Sequence, residues 1–404
     1  MLNFLFLLYN LIMKFEEFIC LEDKHTFRSK NHILQDIFKD WWEPFCSKYS
    51  NLNIRPIVFK EVEKFIGCGS KENGFSFYEC DSCGNYLYIP FTCKSRFCPS
   101  CGVNSCLRVS EFMPSRCINV KQRHITFTIP DSLWNYFKAD RSLLDLLFKS
   151  ASYTILSWFK EQSKLEHFIP GIVATLHTFG RDLKWNTHIH MLVTEGAMGR
   201  KTVWKTFSHF PYLMLRKRFM TKLLFELSKR IFFPKFKKLK CQLYKEKQNG
   251  FYVHAPFQPS SNFKSAISYI TRYTNRPAMA ESRITNYNPD IPSVTFWYDR
   301  HEDGKRVTET VHPFELIKRL IIHIPEKGFN MNRYYGIYSM KKSKSRHLKM
   351  IKEKLTKPLK WIDKLILHFK CNPLKCFCEN TLKIQYFVES SSQKVFQQIN
   401  SHLT

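Results

Sequence analysis

Three groups of side chains in this sequence have the types and spacing to do chemistry. In THIHMLV, His188 and His190 stand two apart among β-branched and apolar residues. On a strand both imidazoles leave one face while Ile189 points into the opposite layer. Such a pair can share a metal ion, or can be two half-exposed histidines that alternate with a core. In SYITRYTNRP, Tyr269 and Tyr273 stand four apart, which on a helix stacks two phenols on one side. They could pack in a core, stack on bases, or act as paired nucleophiles. In ECDSCGNYLYIPFTCKSRFCPSCG, Cys80 with Cys83 and Cys98 with Cys101 form two CxxCG knuckles. Facing each other, the knuckles supply four thiolates for tetrahedral zinc, and each glycine admits the tight turn behind the sulfurs. A four-sulfur site has no open position, so its role is structural, worth about 10–16 kcal/mol to a small module. Cys68 and Cys93 flank the knuckles and could replace one ligand or help a second ion, while Cys106 is less well placed.

The elements that must position these groups are legible from periodicity. INVKQRHITFTIP switches to period two and reads as a strand with His124, Thr126 and Thr128 on one face. GIVATLHTFG and THIHMLVTEG read as an antiparallel pair. A turn centred near Leu183 and Lys184 sets His177 opposite His190, which makes three imidazoles in one patch. His124 is the other candidate for third ligand. Three neutral nitrogen ligands leave positions open for water and a phosphate oxygen, the arrangement that Lewis-acid attack on a phosphodiester needs.

The tyrosine segment reads as a helix starting near Ser261 or Asn262 and ended by Pro277. Its apolar stripe is Phe263, Ala266, Ile267 and Ile270, and the two phenols project about 100° from the centre of that stripe. A phenol, with a pKa of about 10, attacks phosphorus only when the phosphate is polarised or a base takes its proton. Arg272 and Arg276 are placed to hold phosphates.

Around these segments, residues 31–66 read as helical, Leu143 to Phe159 as a helix, and about 213–233 as a basic helix. FYVHAPF and SVTFWYDR are further strand candidates. Residues 333–370 hold twelve Lys or Arg against two acids and read as a helical basic tail.

Composition narrows the partners. The chain has 404 residues, 44% of them hydrophobic, which excludes overall disorder, and 63 Lys and Arg against 34 Asp and Glu give a formal charge of +29. That balance favours a polyanion, nucleic acid first, although exported or ribosome-associated proteins can be as basic. MLNFLFLLYNLIMKF lacks a basic flank and a cleavage site, so it reads as a helix or an upstream start. No window approaches the ~20 apolar residues of a membrane span. Cytoplasm, in association with the nucleoid, is the expected compartment. Acids are too scarce for a metal–carboxylate transposase. The sequence also lacks the Arg and His cluster ahead of a single late tyrosine that a tyrosine recombinase uses.

Taken in order, the knuckles ECDSCG and SRFCPSCG, then RHITFTIP, LHTFGRDLKWNTHIHMLVTEG, YITRYTNRPAMAESRI and NRYYGIYS resemble the two-tyrosine transposases of rolling-circle insertion sequences. These are members of the HUH endonuclease superfamily, in the branch named after insertion sequence ninety-one. The resemblance implies that His188 and His190 are metal ligands for magnesium or manganese. It also implies that Tyr269 and Tyr273 form 5′-phosphotyrosine links on the single-stranded DNA ends of a mobile element and its target. It further implies that the zinc-binding region aids recognition of those ends. The chain departs from the pattern in two places: Asn186 stands where many relatives carry another histidine, and Cys376 and Cys378 are separated by one residue where relatives tend to carry CxxC.

The expected fold is α+β: an HUH endonuclease-like antiparallel sheet with flanking helices, preceded by a helical segment and a zinc ribbon and followed by a basic helical tail. The expected divisions are an N-terminal helical region (1–66), a zinc-binding domain (67–116), a catalytic domain (117–300) and a basic C-terminal region (301–404). Two other functions fit the same motifs: a zinc-ribbon nucleic-acid-binding protein whose tyrosines only stack bases, and an HUH relaxase or replication initiator.

Overall fold

Period-two alternation in three segments builds the sheet that carries the histidines. The computed structural model describes residues 32–254, 276–300, 303–339, 374–389 and 394–397. These form helices α1 (Ile33–Lys48), α2 (Pro56–Ile66), α3 (Pro99–Arg116), α4 (Trp134–Ala139), α5 (Leu144–Glu161), α6 (Tyr212–Ser228), α7 (Pro234–Glu246) and α8 (Pro313–Ile321). The strands are β1 (Gly74–Glu79), β2 (Tyr86–Pro90), β3 (Gln122–Thr128), β4 (Gly171–Phe179), β5 (Trp185–Thr194), the short pair β6 (Gly196–Ala197) and β7 (Lys205–Thr206), β8 (Val253–His254), β9 (Ile284–Asn288), β10 (Ser293–Asp299), β11 (Arg306–Val311), β12 (Asn332–Gly336), β13 (Lys383–Glu389) and β14 (Lys394–Gln397). The class is α+β, with antiparallel sheets and helices, as expected. The chain divides into two units.

The larger unit spans residues 37–63 and 94–356. Its main sheet has the order β12-β4-β5-β3-β8, and every neighbouring pair is antiparallel. One face buries Ile125 and Phe127 of β3, Ile172, Ala174 and Leu176 of β4, and Ile189, Met191 and Val193 of β5. Against that face pack Leu147, Phe148, Ala151 and Ile155 of α5 and Phe219, Leu223 and Leu227 of α6, each at helical spacing. The same alternation turns His124, Thr126, His177, His188 and His190 to the opposite face. Packing of the aliphatic face specifies the register, because a slip of one residue would drive the histidines into the helix-covered layer in place of the aliphatics.

One charged pair sits in this interior. Arg123 donates from Nε to Glu195 Oε1 at 2.6 Å and from the rest of its guanidinium to the Tyr212 hydroxyl and the Ser208 carbonyl. The pair is almost wholly buried, so each charge depends on the other for its solvation.

A second, three-stranded meander of β9, β10 and β11 leads into α8. Just after α8 comes His323, partly buried, with its Nε2–H donating to the Leu183 carbonyl at 2.9 Å and its Nδ1 bonded to the Thr178 hydroxyl at 3.0 Å. Leu183 lies in the β4–β5 turn with φ of 65°, so the imidazole clamps the turn that aligns the histidine strands. Burial pulls the His323 pKa down to about 4. In the unfolded chain the ring accepts a proton near pH 6.5. Its contribution to stability is therefore complete above pH 6.5 and lost as pH falls toward 4, about 3 kcal/mol in all. Chemical denaturation across this range is expected to show that loss, and His323→Gln, which keeps a donor for Leu183, is expected to flatten it.

The smaller unit draws on residues 64–93 and on the chain beyond residue 357. Its sheet has the order β14-β13-β1-β2, with β1 and β2 joined by the first cysteine knuckle. Three expectations change here and in the larger unit. Residues 301–404 are not one region, because β11, α8 and β12 belong to the larger unit and β13 pairs with β1. The expected basic helix over about 213–233 is α6, which ends earlier, at Ser228, and a separate helix, α7, begins at Pro234, where a missing N–H costs nothing. Of the expected helical tail over 333–370, Arg333 to Gly336 lie in β12, an edge strand of the main sheet. Residues 340–373 lie outside the described residues. No helix among the described residues is long and apolar enough to cross a membrane.

Candidate active site

The polar face of the main sheet gathers four imidazoles. Ligand nitrogens of His177, His188 and His190 lie within 4.8 Å of one another. The register differs from the expected one: His177 pairs with His188, and His190 with Thr175. The cause is a bulge between His177 and Phe179 together with a turn from Gly180 to Lys184, which sits earlier than a turn centred at Leu183 and Lys184. The three rings still share one face, with centroids 4.6 Å apart for His177 and His190 and 4.8 Å apart for His188 and His190.

Hydrogen bonds assign the tautomers. The Asn186 carbonyl can only accept, so His188 donates to it from Nδ1 at 2.8 Å and keeps its lone pair on Nε2. That Nε2 faces His190 Nε2 at 3.1 Å. On its far side His190 Nδ1 meets His124 Nε2 at 2.9 Å and the Thr126 hydroxyl at 3.2 Å. His124 therefore stands behind His190 and orients it, while His177 stands beside the two ligating nitrogens.

Electrostatics disfavour charge on two of the rings, His190 and His124. Burial, followed by repulsion from His177, His188 and His124, holds His190 well below the usual imidazole range. Burial first, then His254 and His188, lowers His124 to about 4. An imidazole held neutral presents its lone pair, and a divalent ion fits this donor set. The side-chain carbonyl oxygen of Asn186 is buried with no hydrogen-bond partner. If His124 orients a metal ligand, His124→Ala is expected to raise the Mn²⁺ concentration for half-maximal cleavage about 10–100-fold with little change at saturation. An unchanged cation requirement removes His124 from the centre.

His254 was not anticipated as part of this face. Strand β8 adds it beside Thr126, which itself pairs with His190 on the other side. The alternation of FYVHAPF was the available signal, with Val253 in the core and His254 opposite. Tyr269, Tyr273 and Arg272 lie outside the described residues. Arg276 is exposed.

The cysteines regroup. Cys80 and Cys83 do not share a four-sulfur set with Cys98 and Cys101; their sulfurs lie within 4.8 Å of those of Cys376 and Cys378. Antiparallel pairing of β1 with β13 brings the C-terminal cysteines to the first knuckle, and four sulfurs already fill a tetrahedron. Cys98 caps α3, with Cys101 in its first turn, and both are buried in the larger unit. Within the smaller unit the Cys93 amide donates to Cys68 Sγ at 3.3 Å.

Comparison with known proteins agrees with this layout. Residues 171–346 match the family described as "Putative transposase", and residues 37–129 match the "Transposase zinc-binding domain". The chain is 31% identical over 296 residues to the "Transposase for insertion sequence element IS801" of Pseudomonas savastanoi pv. phaseolicola, covering 70% of each chain. It is 26% identical over 326 residues to "Putative transposase y4qJ" of Sinorhizobium fredii (strain NBRC 101917 / NGR234), covering 74% of this chain and 79% of the relative. No solved structure matches it. With the histidine strands inside one matched region and the first knuckles inside the other, this chain belongs to the IS91 family of transposases, with a zinc-binding domain ahead of the transposase domain.

Proposed function

We propose that this transposase nicks and rejoins single-stranded DNA through 5′-phosphotyrosine intermediates and so drives rolling-circle transposition of an insertion sequence. The observation that carries the reading is the trio of imidazoles, His177, His188 and His190, converging on one sheet face. A bound magnesium or manganese ion would polarise the scissile phosphate there. His188 and His190 are held for that task by the Asn186 carbonyl and by His124. The hydroxyl of Tyr269 or Tyr273 attacks phosphorus, the P–O3′ bond breaks, and the 3′-oxygen leaves and takes up a proton. The phosphotyrosine keeps the bond energy, so a 3′-hydroxyl can later attack it and free the phenol. Two tyrosines let one hold a cleaved end while the other cuts. Arg276 and Arg272 hold the flanking phosphates, and the net charge of +29 draws the strand in.

The test incubates the purified protein with Mn²⁺ and single-stranded oligonucleotides carrying the ends of the element. The expected product is a denaturation-resistant protein–DNA adduct, mapped by mass spectrometry to Tyr269 or Tyr273. Binding with no adduct, unaffected by chelation, would instead identify a protein that only binds nucleic acid.

A further inference from the structure

We propose that Cys80, Cys83, Cys376 and Cys378 bind one zinc ion, through which the C-terminal segment completes the ribbon that β1 and β2 begin. The sulfurs are already near the required spacing. Cys80 Sγ lies 3.5 Å from Cys378 Sγ, and Cys83 Sγ lies 3.5 Å from Cys376 Sγ. A tetrahedral site with metal–sulfur bonds of about 2.3 Å has sulfur–sulfur edges of roughly 3.8 Å. Disulfides would need sulfurs about 2.05 Å apart.

The two cysteine turns repeat one design. The Cys80 amide donates to the Asn85 carbonyl at 2.8 Å, and the Cys376 amide donates to the Asn380 carbonyl at 2.8 Å. Each turn bends through a left-handed residue, Gly84 with φ of 69° in the first and Glu379 with φ of 66° in the second. Each asparagine also turns its side-chain amide to a sulfur, Asn85 to Cys376 at 3.7 Å and Asn380 to Cys378 at 3.5 Å. The second turn is one residue shorter, which is why CxC there does the work of CxxC. Side-chain N–H groups aimed at sulfur stabilise thiolates, the form that metal takes.

The surroundings also call for an ion. Among the described residues, the apolar cluster at this end of the sheet has Cys80, Cys376 and Leu382 as buried members, with Tyr78 and Leu87 packed beside them. Two of the four sulfurs are thus shielded from water, and small modules are commonly stapled by metal or disulfide. Lys383 adds an exposed ion pair to Asp81, which contributes little.

The experiment measures zinc per chain in the full-length protein and in the double variants Cys80→Ser/Cys83→Ser and Cys376→Ser/Cys378→Ser, alone and combined. One shared ion predicts that each pair loses the same single equivalent and that the combination loses no more. Full zinc retained by the Cys376→Ser/Cys378→Ser variant, or a loss of two equivalents in the combination, overturns the proposal. Isotope-coded alkylation of the unmutated protein keeps the test independent of folding defects in the variants. The four thiols should be protected together and become reactive together on chelation. Separate reactivity of the two pairs, or recovery of either as a disulfide, overturns it as well. The proposal stands apart from the strand-transfer chemistry, since neither readout depends on DNA cleavage.

Discussion

Replacing His190 by alanine is expected to lower adduct formation at least ~10²–10³-fold, the range seen when one oriented electrostatic stabiliser is removed from a reaction centre. The imidazole sits at the middle of the cluster, facing His188 on one side and His124 and Thr126 on the other. On the proposed reading its loss both removes a metal ligand and unties His124 behind it. Binding of the same oligonucleotide should survive, with its salt dependence unchanged, because phosphate contacts come from lysines and arginines elsewhere. The measurement is single-turnover cleavage in saturating Mn²⁺ beside a titration of DNA binding. If cleavage is unaffected while the ring is gone, the trio is not where the chemistry occurs.

The double variant Tyr269→Phe/Tyr273→Phe should lose adduct formation by on the order of 10⁴–10⁶-fold, as removal of a covalent nucleophile does. Phenylalanine still stacks on bases, so DNA binding should persist. Each single variant should still form an adduct on the remaining tyrosine but fail to complete strand transfer, since one phenol cannot hold an end and accept another at once. Equal loss of binding and cleavage in the double variant would point to a stacking role for the rings.

How far the fold and site could be read in advance depended on the range of the interaction. THIHMLV announced its strand because burial of Ile189 and Met191 imposes alternation on the chain itself. Helix α5 was equally plain, for the same reason at a different period. The pairing of His177 was misjudged by two residues, since a bulge and a turn with Leu183 in a left-handed conformation leave no periodic mark. Helix α7 hid in a lysine-rich run, with only Phe236 and Leu243 buried; Pro234 was its readable signal. The partner of the first knuckle was out of reach in principle. Motif spacing sees neighbours, and the partner lies almost a whole chain away, brought in by strand pairing.

That separation has a consequence for how the protein is made. Cys80 and Cys378 are 298 positions apart. At the ~5–20 residues per second of translation, the second half of the thiol set leaves the ribosome roughly 15–60 s after the first. With the four thiols holding one ion, the ribbon cannot close until Cys376 and Cys378 have emerged. A chain terminated before Cys376 would carry an open knuckle, so metal held by all four proposed thiols would report chemically that the message was read past Cys378.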